Sequence, residues 1–260
     1  MNFSALFGIL LAFGVFIGAA ATSVSDSTIL LDKHAILIVI GGTLAASMTS
    51  FSMRTILQLL RIFFKRVLGR NNEAQKCIAE LVDLARGYRE SDNYLRDKIP
   101  AIQTPFLKEA LQMIVEGGID PQDMDKILVK RAHAIHQLHD ADAEMFRSLS
   151  KFPPAFGLLG AVIGMIALMQ NLGGADAFKK VGPSMAVALV ATMYGIAVAN
   201  FIFLPIAENL LKANRMDQTI RMMVIDGVKL VRMKKHPLLV EETVKSYLLP
   251  GEREKLQKAA

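Results

Sequence analysis

Thr192 is the hydroxyl that stands out by its setting, a polar side chain in a run without charge. It is the polar member of a stripe at helical spacing, Ala188, Ala191, Thr192, Gly195 and Ala199, inside an uncharged apolar segment. The preceding apolar segment carries its own small stripe, Gly157, Gly160, Ala161 and Gly164. Such stripes let two helix backbones approach closely, which matters in lipid, where packing rather than the hydrophobic effect drives helix association. From spacing alone Thr192 reads either as a functional hydroxyl or as helix glue whose hydroxyl bonds the carbonyl one turn back. Asn200 lies two turns further on. No Lys, Arg, Asp, Glu or His occurs between Ala155 and Leu172 or between Ser184 and Ile206. An ion crossing hydrocarbon needs an ionisable or strongly polar relay, so a carboxylate on that path would have to come from a partner.

Other candidate chemistry is sparse. His133, His136 and His139 punctuate one helical stretch, and His136 with Asp140 has the one-turn spacing that could hold a metal; the alternative is a solvated helix face. We read no metal site there. Cys77 is the single cysteine, so no intrachain disulfide can form. No Gly-rich phosphate loop follows a strand and no nucleophile elbow appears, which argues against an enzyme and against a cofactor. A net charge of +6 could suit nucleic acid, but no Trp and no binding motif accompany it. Positively charged loops on the cytoplasmic side of a membrane account for the excess.

The elements that must position Thr192 follow from where the apolar residues collect. They make up 52% of the chain and fall in blocks, the pattern of a polytopic membrane protein. About 20 helical residues cross the ~30 Å hydrocarbon core. Ser4 to Ala21 is one such run. Ala19-Ala20-Ala21 imitates a signal-peptidase site, but the basic region that precedes such a site is missing, so the run reads as a retained first span. Ala35 to about Ser50 is the second span. The third and fourth lie between Pro153 and Pro205, joined by a Gly-rich turn. Arg54, Arg61, Lys65, Arg66 and Arg70 follow the second span without one acid, whereas Asp26, Asp32, Lys33 and His34 lie between the first two. The positive-inside rule then puts both termini in the cytoplasm. Ile56, Leu57, Leu60, Phe63, Phe64, Val67 and Leu68 repeat between those cations as an amphipathic surface helix.

Residues 71–152 are polar and helical in period. One helix starts with Ile78, Leu81, Val82 and Leu84; another, through Phe106, Leu107, Ala110, Leu111, Ile114 and Val115, ends at Gly117-Gly118. Asp120-Pro121 then opens a helix predicted to run to about Ser150 and into the third span, a rigid rod. In the charged tail, Met222, Met223, Ile225 and Val228 suggest helix, broken at Pro237 and Pro250. The expected fold is all-α. Residues 1–53 form one membrane hairpin, 54–152 a surface helix and cytoplasmic insert, 153–206 a second hairpin, and 207–260 a tail that completes the cytoplasmic domain with the insert.

Pro154-Ala155-Phe156-Gly157-Leu158-Leu159-Gly160-Ala161-Val162-Ile163-Gly164 resembles the third span of the flagellar stator A-subunit family, MotA/PomA, itself related to the TolQ/ExbB proteins. The fourth span of that family is similar to Gly182-Pro183-Ser184-Met185-Ala186-Val187-Ala188-Leu189 and, most specifically, to Ala188-Leu189-Val190-Ala191-Thr192-Met193-Tyr194-Gly195 with Pro205 ten residues on. Asp120-Pro121, His236-Pro237 and Leu248-Leu249-Pro250-Gly251-Glu252-Arg253 extend the likeness over nearly the whole chain.

The resemblance implies a torque-generating channel subunit of the bacterial inner membrane. Five copies would surround two copies of a single-span B subunit (MotB/PomB-like) whose membrane aspartate carries the ion, and the assembly would push on the rotor protein FliG. By the same resemblance Thr192 faces that aspartate, within an ion-pathway, partner-facing set that also holds Ala161, Gly160, Gly164 and Gly195. Pro154 and Pro205 match prolines that couple ion flow to conformational change; taken alone, they would cap or kink a helix. Ala161 stands where sodium-driven relatives usually carry Thr, so protons rather than sodium ions are the expected coupling ion. The family's rotor-contacting Arg, followed by a Glu eight residues later, is matched by Arg89, but the following match is Arg96, one residue closer and opposite in sign, with Asp97 adjacent. Arg86, Arg89, Glu90, Arg96 and Asp97 are the candidate contact charges, or a merely solvated face. A TolQ/ExbB-like energiser of an envelope protein is the alternative, though such proteins typically carry three spans with the insert after the first; a non-conducting scaffold is the third reading.

Overall fold

The computed structural model describes residues 3–23, 27–56, 73–172, 177–251 and 253, and every regular element among them is a helix. In chain order these are α1 (Phe3–Ser23), α2 (Lys33–Ser50), α3 (Glu73–Glu90), α4 (Tyr94–Lys98), α5 (Pro105–Glu116), α6 (Pro121–Leu149), α7 (Phe152–Asn171), α8 (Ala177–Val198), α9 (Leu204–Arg232) and α10 (Pro237–Lys245). Most of the expected surface helix after the second span, the Gly-rich turn and Asp26 lie outside the described residues. Two compact units share the chain: Met1–Gly69 with Asp140–Leu211, and Arg70–His139 with Lys212–Ala260. The sequence put the later divisions at 152/153 and 206/207. The structure puts them inside α6 and α9, because the last turns of α6 pack on the first turns of α9. Ala143, Phe146 and Leu149 meet Ile206, Ala207 and Leu210 in one buried cluster.

The first unit is built from apolar helices. α1 has 21 residues and no charge, about 30 Å at 1.5 Å per residue. Lys33–Ser50, Pro121–Gln170 and Val181–Arg232 each contain a stretch long and apolar enough to cross a membrane. α2 begins where Asp32 caps it: its carboxylate accepts from the Ala35 N–H at 2.7 Å. Two π turns widen these helices, Leu37–Gly41 within α2 and Ala199–Phe203 between α8 and α9. The second precedes Pro205. Pro205 closes the apolar segment but does not end the helix, which runs on to Arg232. Proline brings no N–H and its ring crowds the carbonyl four residues back. Here the preceding turn is widened, with the Leu204 N–H bonding the Ala199 carbonyl. Pro183, expected near the start of the fourth span, likewise sits inside α8.

The second unit is a conventional helical core. Leu81, Leu84, Leu95, Leu107, Leu111 and Leu128 are fully buried, together with Met223, Val224 and Val228 of α9. Each such side chain is worth roughly 1.5–3 kcal/mol of transfer free energy. Gly227 lets α3 and α10 close on α9: a Cβ there would lie 2.7 Å from a Leu81 methyl and 3.2 Å from Val244. α9 ends with Lys234 in the left-handed region, its N–H on the Val231 carbonyl at 2.8 Å. His236 then caps α10, its Nδ1 accepting from the Leu238 N–H at 3.2 Å. Tyr247 anchors the segment after α10 by donating to Asp226 at 2.5 Å. Burial and that bond push its phenol up to about 12. Cys77 is buried in the same core, and burial, then the charge of Glu80, pushes its thiol up to about 12.

Candidate functional site

The site is the antiparallel pair α7 and α8, and what brings it together is the absence of side chains. A Cβ on Gly157 would lie 2.9 Å from the Ala191 carbonyl and 3.2 Å from the Thr192 Cα. On Gly160 it would lie 2.6 Å from the Ala191 Cβ, and on Gly164 2.8 Å from the Ala188 Cβ. Gly195 meets backbone: its Cβ would sit 2.5 Å from the Pro153 carbonyl oxygen. The two stripes therefore mesh, and nothing larger fits between them. α2 closes the back of the pair, with Gly42 against the Phe156 ring and Ala35 and Val39 buried with Val190 and Ala191. Tyr194 ties this packing to the turn before α2 by donating to the Leu30 carbonyl.

Thr192 sits at the rim of that seam and is half-buried. Its Oγ1 is 3.2 Å from the Ala188 carbonyl, one turn back on its own helix, and 3.4 Å from the Gly157 carbonyl across the seam. Both sequence readings thus meet in one hydroxyl. Its single proton is shared between two backbone oxygens, and its lone pairs are left to accept from a third group. On the same face, Met185, Leu189 and Ile196 are exposed, so the hydroxyl lies beside an apolar surface that the chain leaves uncovered. Ala161 lies one turn beyond Gly157 and is half-buried, with Leu158 and Met165 exposed beside it.

Gly160, Gly164 and Gly195 are buried in the seam between α7 and α8, where they serve the close backbone approach that their spacing suggested. The small-residue period marks a close contact without saying which helix makes it. Pro153 and Pro154 occupy the first turn of α7, where an N–H has no helical partner to lose. The ladder is interrupted just before them: Lys151 N–H bonds Ser148 in a tight turn, and Ser150 Oγ bonds the Arg147 carbonyl at 2.7 Å. Pro205 lies at the start of α9, where its carbonyl accepts from Asn209 at 2.8 Å. Asn200 turns back on its own helix, donating to the Ile196 carbonyl at 2.9 Å.

The candidate rotor-contact charges lie in the second unit. Arg86, Arg89 and Glu90 end α3, Arg96 and Asp97 sit on α4, and all five are exposed. Tyr94 holds the two helices side by side: its ring fills the space where a Gly87 Cβ would be, and its hydroxyl bonds Asp83 at 3.1 Å. Lys98 adds a 3.0 Å ion pair to Asp83. Sequence reading missed this Gly87–Tyr94 contact; the signal was a glycine in a helix interior, which costs about 1 kcal/mol unless a neighbour needs the space. Of the histidine stretch, His136 offers its main-chain carbonyl to Asn214 at 3.0 Å, and His139 lies 3.9 Å from Asp217. No group of three metal-ligating side chains forms among the described residues.

Comparison with known proteins places this geometry. Residues 98–223 match the family model of the MotA/TolQ/ExbB proton channel family. Motility protein A of Borreliella burgdorferi is 29% identical over 259 residues, 98% of this chain and 97% of that protein. Motility protein A of Bacillus subtilis is 32% identical over 261 residues, 97% and 93% of the two chains. A chain in the solved structure of the flagellar MotAB stator complex from Bacillus subtilis is 28% identical and superposes with a TM-score of 0.85, covering 96% of this chain and 98% of its own length. With a match of that extent at both levels, the chain belongs to the MotA/TolQ/ExbB proton channel family and, within it, to the MotA/PomA family of flagellar stator subunits.

Proposed function

We propose that this chain forms, with a single-span partner of the MotB/PomB kind, a proton channel that turns ion-motive force into torque on the flagellar rotor. Thr192 carries the reading. It is a half-buried hydroxyl beside an uncovered apolar surface, on a hairpin whose sequence holds no acid between Ala155 and Leu172 or between Ser184 and Ile206. A partner carboxylate at that surface would compete with the two backbone carbonyls for the Thr192 proton. The neutral acid would instead donate to the Thr192 oxygen. The hydroxyl thus distinguishes the two charge states of the partner. Each proton supplies about 2.3 kcal/mol per 100 mV, enough to bias such an exchange.

The finer assignments belong to the same reading. Ala161 offers a methyl group where a sodium path would need an oxygen, so the coupling ion is the proton. The chain crosses the inner membrane four times, through α1, α2, α7 and α8, with both termini in the cytoplasm, as the cations from Arg54 to Arg70 argue. Five copies surround the partner. Arg86, Arg89, Glu90, Arg96 and Asp97 meet the rotor protein FliG, and Pro154 and Pro205 transmit the change between hairpin and cytoplasmic helices. The test is complementation of a strain lacking its stator genes by this chain with its partner. Wild type restores swimming whose torque follows the proton gradient and ignores external sodium at constant pH. Thr192→Val retains the assembled complex and loses proton flux; a valine variant that swims normally overturns the reading.

A further inference from the structure

The π turn at Ala199–Phe203 lies between two parts of one helix that are held in different ways. Above it, α8 rests on α7 through Ala188, Ala191 and Gly195, small residues with no interlocking side chains. Below it, Ile206, Ala207 and Leu210 are buried against Ala143, Phe146 and Leu149, and Arg147 pairs with Glu208 at 2.6 Å. At the turn itself, Phe201 packs edge-on against both Phe13 and Phe16 of α1, each ring centroid 5.8 Å away at 69° and 73°. Ala199 is buried and the Leu204 N–H spans five residues to its carbonyl. A π turn holds one residue more than the α turn it replaces, and such turns recur at functional sites. Relaxing it to α geometry rotates the segment above by up to about 100° and moves it about 1.5 Å. Pro205 disfavours that relaxation, because it would restore crowding at the carbonyl four residues back.

We infer that the Ala199–Phe203 π turn, held by Phe201 between Phe13 and Phe16, is the positioning element that sets the facing of Thr192 and shifts its register during each ion cycle. The inference rests on the proposed function. Deleting Ile202, which is exposed, removes the extra residue, so both flanks keep their packing while the turn has no residue left over to shift between π and α geometry. In the full complex this variant assembles with its partner at wild-type yield, and motor torque falls by about tenfold or more, as expected when a moving element is locked. Wild-type torque in that variant overturns the inference. Should the variant fail to assemble, amide hydrogen exchange on the wild-type complex decides. Replacing the partner's membrane carboxylate by its amide changes protection at residues 199–204 more than in the flanking turns; equal changes throughout overturn the inference. A wild-type chain that fails to restore swimming at all sinks the proposed function instead, and the exchange measurement still reads the turn.

Discussion

The hairpin of α7 and α8 and the core of the second unit are closed by opposite kinds of residue. In the unit of α3, α5, α10, the first turns of α6 and the later turns of α9, the core is closed by large apolar side chains such as Leu81, Leu107, Leu128 and Met223. In the hairpin of α7 and α8 the contact is made by glycine and alanine, while Leu158, Leu159, Val162, Met165, Ile166 and Met169 point away from it. Water drives leucines together in the first case. In the second the surroundings are as apolar as leucine, so large side chains gain nothing by turning inward and close backbone packing decides the geometry. The difference teaches how the site is made. A seam without large side chains leaves Thr192 pinned at its rim by two backbone carbonyls, 3.2 and 3.4 Å away, yet uncovered on the face that Met185, Leu189 and Ile196 share.

The comparison is broken most severely at Gly195. Valine there would push against the Pro153 carbonyl oxygen, 2.5 Å from the added Cβ, and backbone cannot swing aside as a flexible side chain can. Overpacking typically costs about 1–3 kcal/mol, and a clash with backbone falls at the upper end. Gly195→Val is therefore expected to yield no extractable complex, measured by copurification with the partner; full recovery would mean the seam is looser than its geometry. A sharper test pairs two leucines of equal exposure in the two units, Leu158 at 65% and Leu138 at 66%. Lysine in place of Leu158 meets hydrocarbon, at a cost of about 3 kcal/mol. Lysine in place of Leu138 meets water and shifts stability by no more than about 0.5 kcal/mol. Membrane insertion should fail or fall sharply only for Leu158→Lys; equal tolerance would show that the two leucines share one solvent.

Much of this contrast was legible in the sequence. The stripes of Gly157, Gly160 and Gly164 and of Ala188, Ala191 and Gly195 stand out by helical period, and so do the leucines of the polar insert, because period reports which face is small or apolar. Period does not report what covers that face, so it could not say that Gly160, Gly164 and Gly195 meet α7 and α8 of the same chain. The continuation of the helix through Pro205 was illegible for a related reason. Whether a proline stops a helix depends on whether the preceding turn can widen, and the widened turn packs Phe201 on Phe13 and Phe16, nearly two hundred residues earlier in the chain. The pairing of Gly87 with Tyr94 was a matter of shape, and residue types alone do not carry shape.

The smallest expected effect on stability falls on the charges of α3 and α4. Among the described residues, Arg86, Arg89, Glu90, Arg96 and Asp97 form no ion pair, although nearby Lys234 pairs with Asp92 at 2.5 Å and lies over the Tyr88 ring at 4.9 Å. An exposed charge without a partner contributes little to folding, so Arg89→Glu should leave the thermal midpoint of the purified complex almost unmoved, within about 0.5 kcal/mol. Function is expected to separate from stability here. If Arg89 meets an acidic surface on the rotor, reversal turns attraction into repulsion, and swimming falls while assembly and proton flux persist. The defect should weaken as ionic strength rises, since exposed charges are screened over about 8–10 Å in physiological salt. Unaltered swimming of Arg89→Glu at every ionic strength would reduce this cluster to a solvated helix end, and the contrast with the uncovered face of the hairpin would sharpen accordingly.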